Sequence, residues 1–89
     1  MEFEWDEDKR RSNLEKHEVD FRFADALFNG LPTLNIERSR HDEVRFVTTC
    51  EHLGRFYTVV WTQRDYIARI ISMRRSNDSE KRKYRAVHG

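Results

Sequence analysis

Four arginines near the end of the chain are the residues whose type and spacing point most directly to chemistry. Arg69, Arg74 and Arg75 lie within the run "RIISMRR", and Arg64 precedes it. A guanidinium group is always charged and costly to bury, so each one must meet water, a carboxylate or a phosphate. Arginine binds phosphate bidentately and aromatic rings stack on unpaired bases, so exposed aromatic residues beside these arginines would suit RNA. The aromatic candidates are Tyr57, Trp61, Tyr66 and Tyr84.

The alternative for the same arginines is a structural role. Arginines on strands and helices are usually solvated or paired with carboxylates, and Glu37, Glu51 and Asp65 are available. Adjacent residues of a strand face opposite sides of a sheet, so only one of Arg74 and Arg75 can share a surface with a given ligand. The residues alone leave anion binding and structural pairing both open.

The stretch "SNLEKH" contains a second pair of candidates, Lys16 and His17. Histidine titrates near neutral pH and can transfer protons, so the pair could serve an active cleft. The competing interpretation is that basic side chains in the last turn of a helix complement the negative end of its dipole.

Other kinds of site have less support in the sequence. The histidines His17, His41, His52 and His88 are too scattered to form a metal-ligand motif. The three glycines leave little room for a phosphate-binding loop, and Cys50 lies in no nucleophile motif, which makes it most simply a small hydrophobic residue. We therefore expect neither a metal nor a cofactor.

The composition and the charge distribution set the limits within which these residues act. A chain of 89 residues, 37% apolar and 37% charged, predicts one domain over residues 1–89. No apolar stretch approaches a membrane helix, the acidic N-terminus is unlike a signal peptide, and one cysteine excludes a disulfide framework, so we expect a cytoplasmic protein. Residues 1–30 carry net charge −4, residues 31–63 none and residues 64–89 carry +5. The basic C-terminal third is what an anionic partner requires.

Two helices are predicted at the N-terminus. Asp6 can cap the first, which runs to about His17 and has Leu14 as its only apolar residue, so Phe3 and Trp5 just before it must supply much of the anchoring. The second begins at the cap Asp20 and stops before Gly30, with its apolar residues at helical spacing.

From residue 33 the apolar pattern changes to a period of two, which predicts strands at about 33–38, 44–51, 55–62 and 66–74. The short connections favour an antiparallel meander, which would bring Arg64 close to Arg69. Asn77 and Glu80 form a capping box for a last helix. The expected fold is α+β, with two N-terminal helices, a four-stranded antiparallel meander and a C-terminal helix, the helices covering one sheet face.

Two blocks of residues resemble the BrnT toxins of bacterial type II toxin–antitoxin modules. The first block of that family runs through Phe-x-Trp-Asp, Ser-Asn-x-x-Lys-His, Val-x-Phe and Ala-x-x-x-Phe. Its residues here are Phe3, Trp5, Asp6, Ser12, Asn13, Lys16, His17, Val19, Phe21, Ala24 and Phe28. The second block is a strand and a helix matched by Arg69, Ile71, Ser72, Arg74, Arg75, Glu80 and Tyr84. The sequence departs from the family pattern at Glu18, where glycine is usual after Lys-His.

The resemblance implies a RelE-like fold and a ribonuclease that inhibits translation. It also implies a BrnA antitoxin with a ribbon-helix-helix DNA-binding part, a heterotetramer of the two proteins and repression of their operon. RelE-like enzymes use the 2′-hydroxyl of the substrate as nucleophile, so the protein has chiefly to orient RNA and stabilise charge on the transition state.

From the resemblance we hypothesise metal-independent cleavage that leaves a cyclic phosphate, with the candidates assigned as follows. Arg64 and Arg74 stabilise the transition state, Lys16 or His17 assists proton transfer, Tyr84 or Trp61 positions a base, and Arg69 and Arg75 bind RNA. The alternative is a non-catalytic module whose basic face binds an antitoxin or a nucleic acid, and exposed aromatic residues could also serve a dimer or antitoxin interface. The nuclease hypothesis requires the cations to be gathered at one pocket. It fails if they are scattered and each is paired with its own acid.

Overall fold

The computed structural model describes residues 1–28, 30, 32–40 and 42–89, so the prediction for His41 lies outside the described residues. The helices are α1 (Glu7–His17), α2 (Ala24–Leu27), which a 3₁₀ turn (Phe21–Phe23) precedes, and α3 (Asp78–His88). The strands are β1 (Glu2–Glu4), β2 (Thr33–Arg40), β3 (Glu43–His52), β4 (Arg55–Arg64) and β5 (Ile67–Arg75). In the described part of the chain, no helix is both long and apolar enough to cross a bilayer.

The sheet has the strand order β1-β5-β4-β3-β2. Strands β2 to β5 form the predicted antiparallel meander, and the α+β class is confirmed. The prediction of four strands is wrong, because Glu2–Glu4 adds a fifth strand parallel to β5. Three residues are too few to show an alternating pattern, so the sequence gives no signal for this strand.

The predicted second helix is divided into a 3₁₀ turn and a short α-helix. Asp20 caps the start as predicted, because its carboxylate accepts a hydrogen bond from the backbone N–H of Arg22 at 2.9 Å. The same carboxylate accepts from the side chains of Arg22 (2.8 Å) and Arg10 (3.1 Å). These bonds, the one from the Arg22 side chain above all, hold the pKa of Asp20 at about 2. Asp20 therefore ties α1 to the 3₁₀ turn.

One face of the sheet, which we call the core face, packs against the 3₁₀ turn and α2. The buried cluster combines side chains from these segments with alternate residues of the central strands. Its members are Val19, Phe21, Ala24, Leu27, Cys50, Val59, Trp61, Ala68, Ile70 and Met73. Phe3 and Trp5 pack against this cluster, as predicted.

Helix α1 is held by hydrogen bonds rather than by its one leucine. Leu14 is 38% exposed, whereas Asn13 beside it is 8% exposed. The Asn13 amide donates to the carbonyl oxygens of Met73 (2.7 Å) and Val19 (3.0 Å), and its oxygen accepts from the Met73 N–H at 3.3 Å. Asn13 thus satisfies the backbone at the edge of β5 beyond the point where β1 ends.

Helix α3 lies on the other side of the sheet, which we call the open face. Its Tyr84 ring is 5.3 Å from the ring of Phe56, and its Glu80 accepts a hydrogen bond from Thr58 at 3.0 Å. Phe56 and Thr58 alternate along β4 with Val59 and Trp61 of the core cluster, so they point to the opposite side. The expectation that the helices cover one face is wrong, although the predicted capping box of Asn77 and Glu80 is confirmed.

Glu18 ends α1 in the left-handed region, with φ 59° and ψ 26°. A side chain costs about 1–2 kcal/mol there, and glycine gives back only about 0.4–1 kcal/mol through the unfolded chain. We expect Glu18→Gly to raise the free energy of unfolding by about 0.5–1 kcal/mol, measured by urea denaturation. Glu18→Ala, which removes the charge but keeps the Cβ atom, should gain less, and Glu15→Gly within the helix should lose about 1 kcal/mol. Equal stability of Glu18→Gly and Glu18→Ala would contradict the backbone explanation.

Candidate nucleic-acid interface

Three of the four predicted arginines share the open face. Counting outward from Thr58 along β4, alternate residues place Thr62 and Arg64 on this face. The register pairs Thr58 with Arg74 and Thr62 with Arg69, so these arginines lie on the same face. Arg64, Arg69 and Arg74 therefore project from one side of the sheet.

Arg74 and Glu80 form a two-pronged ion pair that joins β5 to α3. Arg74 Nη1 lies 2.8 Å from Glu80 Oε1, and Nη2 lies 2.9 Å from Oε2. Oε1 also accepts from the backbone N–H of Asn77 at 2.9 Å and from the Thr58 hydroxyl at 3.0 Å. Burial opposes ionisation of Glu80, but these donors outweigh it and lower the pKa of the carboxyl group. The hydrogen bond to Glu80 in turn raises the pKa of Arg74, whose guanidinium is held in one orientation with its side chain still 30% exposed.

Arg69 has a carboxylate partner that the sequence did not suggest. Its Nη1 lies 2.9 Å from Oε2 of Glu4, which the unpredicted strand β1 places beside it. Both side chains are partly exposed, and such pairs are worth little in stability. The charge of Arg69 is therefore compensated, but by a partner that water and ions can also reach.

Arg64 is exposed at the last position of β4, and within the described residues it makes no ion pair. It lies six positions further along β4 than Thr58, the register partner of Arg74. At about 3.3 Å per residue, the Cα atoms of Arg64 and Arg74 are about 20 Å apart along the sheet. The structure does not bring these two predicted catalytic arginines together, although Arg64 does lie close to Arg69 as the meander predicted.

Arg75 belongs to a different surface from Arg74, as strand alternation requires. It is the register partner of Tyr57, and its guanidinium carbon lies 5.4 Å from the centroid of the Tyr57 ring. Tyr57 packs against the core cluster, so Arg75 lies over the edge of the core face.

The expectation that Trp61 and Tyr84 are exposed is wrong, because each is only 7% exposed. Trp61 packs between Phe28 and Phe46, with ring centroids 5.8 and 4.7 Å away, and its Nε1 donates to Thr48 at 2.8 Å. A ring packed in this way has no free face on which a base could stack.

Tyr84 is enclosed on the other side of the sheet. Its ring contacts Phe56, its hydroxyl donates to the carbonyl oxygen of Pro32 at 3.3 Å, and burial raises its pKa. The tyrosine that does present its ring to solvent is Tyr66, 93% exposed at the tip of the β4–β5 hairpin.

Lys16 and His17 occupy the last turn of α1 and make no side-chain hydrogen bond or ion pair with any described residue. They follow Asn13 by three and four residues, so they lie on the same side of the helix, one turn further along. Because Asn13 bonds to the backbone of Met73, this side faces the edge of β5 beside Arg74. Both candidates are thus closer to Arg74 than to Arg64.

Sequence analysis missed a cationic row on the open face. The register pairs Arg38 with Arg45 and Thr62 with Arg69, and the ladder between β3 and β4 ends at Phe46 and Trp61, next to Arg45 and Thr62. We call Arg38, Arg45 and Arg69 the arginine row. The pairing of Arg38 with Arg45 depends on the length of the loop between β2 and β3, because loop length sets the register of a hairpin. The apolar pattern alone does not specify that length, so the sequence did not predict the pair. These cations therefore share one face of the sheet, but they are not gathered at one pocket, and Arg45, Arg69 and Arg74 are each paired with an acid.

The remaining expectations concern metals and the cysteine. In the regions that the structure describes, no three His, Cys, Asp or Glu side chains come together as they would around a metal ion. Cys50 is buried in the core cluster, as expected for a small hydrophobic residue, and burial raises the pKa of its thiol to about 11.

Comparison with known proteins gives the family. Residues 5–80 match the family model described as "Ribonuclease toxin, BrnT, of type II toxin-antitoxin system". None of the curated protein sequences compared with the chain matches it. The family match covers most of both sequence blocks and confirms the resemblance drawn from them. The chain therefore belongs to the BrnT family of ribonuclease toxins from type II toxin–antitoxin systems.

Proposed function

We propose that the protein cleaves RNA without a metal ion, by attack of a ribose 2′-oxygen on the adjacent phosphorus. The O2′–P bond forms, the P–O5′ bond breaks, and the products end in a 2′,3′-cyclic phosphate and a 5′-hydroxyl. One protein group takes the proton from the 2′-hydroxyl, and another gives a proton to the leaving oxygen. Cleavage of RNA in this way would inhibit translation.

The orientation of Arg74 is the observation that carries this proposal. Negative charge accumulates on the phosphoryl oxygens in the transition state, and a donor fixed in advance stabilises it without reorganisation. Glu80 accepts from two N–H groups of Arg74 and the carbonyl oxygen of Arg75 from a third, and a guanidinium has five, so two donors remain for a phosphate. We therefore assign Arg74 to the scissile phosphate, with His17 or Lys16 as the proton-transfer group at the same edge of β5.

Arg64 acts at a different phosphate in this proposal. Its distance of about 20 Å from Arg74 is too great for both groups to hold one phosphate, since that spacing is about six strand residues. Arg64 and Arg69 hold the RNA backbone further along the open face. Arg75 contacts RNA only where the strand passes around the edge of the sheet, and Trp61 and Tyr84 support the fold rather than position bases.

Cleavage should be insensitive to chelators. Purified protein incubated with end-labelled RNA should give discrete products at the same rate with and without EDTA, because arginines supply the positive charge. The products should carry a cyclic phosphate, and the same RNA with 2′-O-methyl groups should stay intact because it has no free nucleophile. Loss of cleavage in EDTA, restored by Mg²⁺, would show that a metal takes part.

The ion pairs of Arg69 and Arg74 favour one alternative, a non-catalytic module that binds nucleic acid or an antitoxin. In that case their charge serves the fold, and only Arg64 and the other unpaired cations are available. The same incubation separates the two functions, since this alternative gives a mobility shift with no products.

The resemblance supplies the partner and the setting. We propose a BrnA-type antitoxin with a ribbon-helix-helix part, which assembles with this chain as a heterotetramer in the bacterial cytoplasm and covers the open face. A RelE-like fold is part of the same proposal, and the helices before and after an antiparallel meander support it.

A further inference from the structure

We propose that Arg38 and Arg45 form a binding site for a phosphodiester group of single-stranded RNA, so that the RNA backbone crosses the strands along the arginine row. This inference rests on the proposed function and adds to it the path of the substrate. Neither residue was a candidate in the sequence analysis.

The first observation is that two like charges face each other. Arg38 on β2 and Arg45 on β3 are direct register partners, and both project from the open face. Like charges directly opposite in an antiparallel pair are destabilising. No described residue forms an ion pair with Arg38, and Arg45 has only Glu43, 3.5 Å from its Nη2 and itself partly exposed. The fold thus keeps two facing cations that share one partly exposed carboxylate, and an anion between them would relieve the remaining repulsion.

The second observation is an unused hydrogen-bond donor. Nε of Arg45 is buried, and no acceptor for it lies within the described residues. A buried donor without a partner is unfavourable, so the side chain gains when it turns toward an acceptor. A phosphate offers two oxygens to the fork of a guanidinium, which makes it a suitable acceptor.

The surroundings fit a nucleic-acid strand. Ile36 and Val47 form an apolar floor beside the two arginines, and a cavity of about 170 Å³ between this floor and α3 has Arg38 and Lys83 in its lining. Adjacent strands are about 4.8 Å apart, so Arg69 continues the row about 10 Å beyond Arg45. A row of repeated positive charges matches a chain that carries one negative charge per nucleotide, and we therefore favour RNA over an acidic protein segment.

The test measures binding of a fluorescent, mixed-sequence 2′-O-methyl RNA, which the protein cannot cleave, by anisotropy over a range of KCl concentrations. Arg38→Ala and Arg45→Ala should each weaken binding about 10-fold. Each should also reduce the slope of log affinity against log salt by about 0.7, the value for one lost phosphate contact on a single strand. Arg11→Ala, which removes an exposed arginine from α1, should leave affinity and slope unchanged.

Thermal unfolding separates the proposed binding role from a structural role, because the two predict opposite changes in the melting temperature of the variants. Because each substitution removes a like-charge contact, both variants should melt at or above the temperature of the wild type. A clear loss of stability with unchanged RNA affinity would overturn the inference and make the pair structural.

Two other results would also overturn it. The first is that Arg38→Ala and Arg45→Ala bind RNA normally but no longer bind a purified BrnA-type antitoxin, which would make the row a protein interface. The second is a wild-type protein that does not bind the oligonucleotide at low salt. Cleavage of unmodified RNA is assayed separately, so if either result comes with normal cleavage, the inference fails and the proposed function stands. If no RNA is cleaved at all, the proposed nuclease fails even where the row binds.

Discussion

Arg74→Lys should lower kcat for RNA cleavage by about 10²- to 10³-fold, whereas Arg64→Ala should mainly raise KM. Lysine keeps the positive charge but loses the planar fork that Glu80 orients, and removal of one preorganised donor costs about this much in rate. Arg64 lies about 20 Å away and holds RNA outside the scissile linkage, so its removal weakens binding of substrate and transition state alike. Single-turnover and steady-state rates on one defined RNA measure the two effects.

Arg64→Ala needs a folding control and a matched variant, and the structure supplies both. Arg64 is exposed and makes no ion pair with a described residue, so Arg64→Ala should unfold at the same denaturant concentration as the wild type. Arg55→Ala, at the opposite end of the same strand, is the matched loss of one exposed charge. If Arg64→Ala lowers kcat as much as Arg74→Lys while KM is unchanged, the assignment of the scissile phosphate to Arg74 is wrong.

The parts of the fold that the sequence predicted are those set by local chemistry. Asp6, Asp20 and Asn77 begin helices as expected because a side-chain cap acts within three residues. The meander was predictable because period-two patterns and short connections specify antiparallel neighbours. Strand β1 and the position of α3 on the open face depend on contacts between distant segments of the chain, and a local sequence pattern does not predict such contacts.

The site was predictable to a smaller extent, for the same reason. The sequence made Arg64, Arg69 and Arg74 candidates, and the structure places them on one face. Strand alternation correctly separated Arg74 from Arg75. Exposure of a side chain is a property of the assembled fold. The sequence therefore predicts a ligand contact for Trp61, an aromatic residue on a strand, although it belongs to the core.

Helix α1 presents the opposite case, in which a polar residue rather than an aromatic one is unexpectedly buried. An asparagine on a helix is usually exposed, yet Asn13 is buried because β5 has an unpaired edge there. The asparagine of the Ser-Asn-x-x-Lys-His block therefore has a structural role. It sets the position of the two candidate proton-transfer residues that follow it.

Glu80→Ala should reduce both stability and catalysis, with the free energy of unfolding lower by about 3 kcal/mol. The carboxylate closes the capping box, a contribution of about 1 kcal/mol, and its ion pair with Arg74 adds about 1.5–3 kcal/mol. Without it the guanidinium is free to rotate, so kcat should fall while KM changes little. Glu80 does not touch the substrate in this mechanism and acts as a positioning residue for Arg74. Urea denaturation and RNA cleavage on the same preparations measure both effects.

Glu80→Gln separates the charge of Glu80 from its hydrogen bonds, since the amide oxygen can still accept at the cap. The lowered pKa of Glu80 means that its ionised form stabilises the fold at pH values above its ordinary pKa of 4.5, and that this contribution is lost as the pH falls through the folded-state value. The wild type should therefore be more stable than Glu80→Gln at pH 7, and the difference should shrink steadily below about pH 4.5. A constant difference across that range would mean that the ion pair contributes nothing to stability. Restored kcat in Glu80→Gln but not in Glu80→Ala would show that one oriented acceptor is enough to aim Arg74, whereas equal loss in both would show that the two-pronged pair is required.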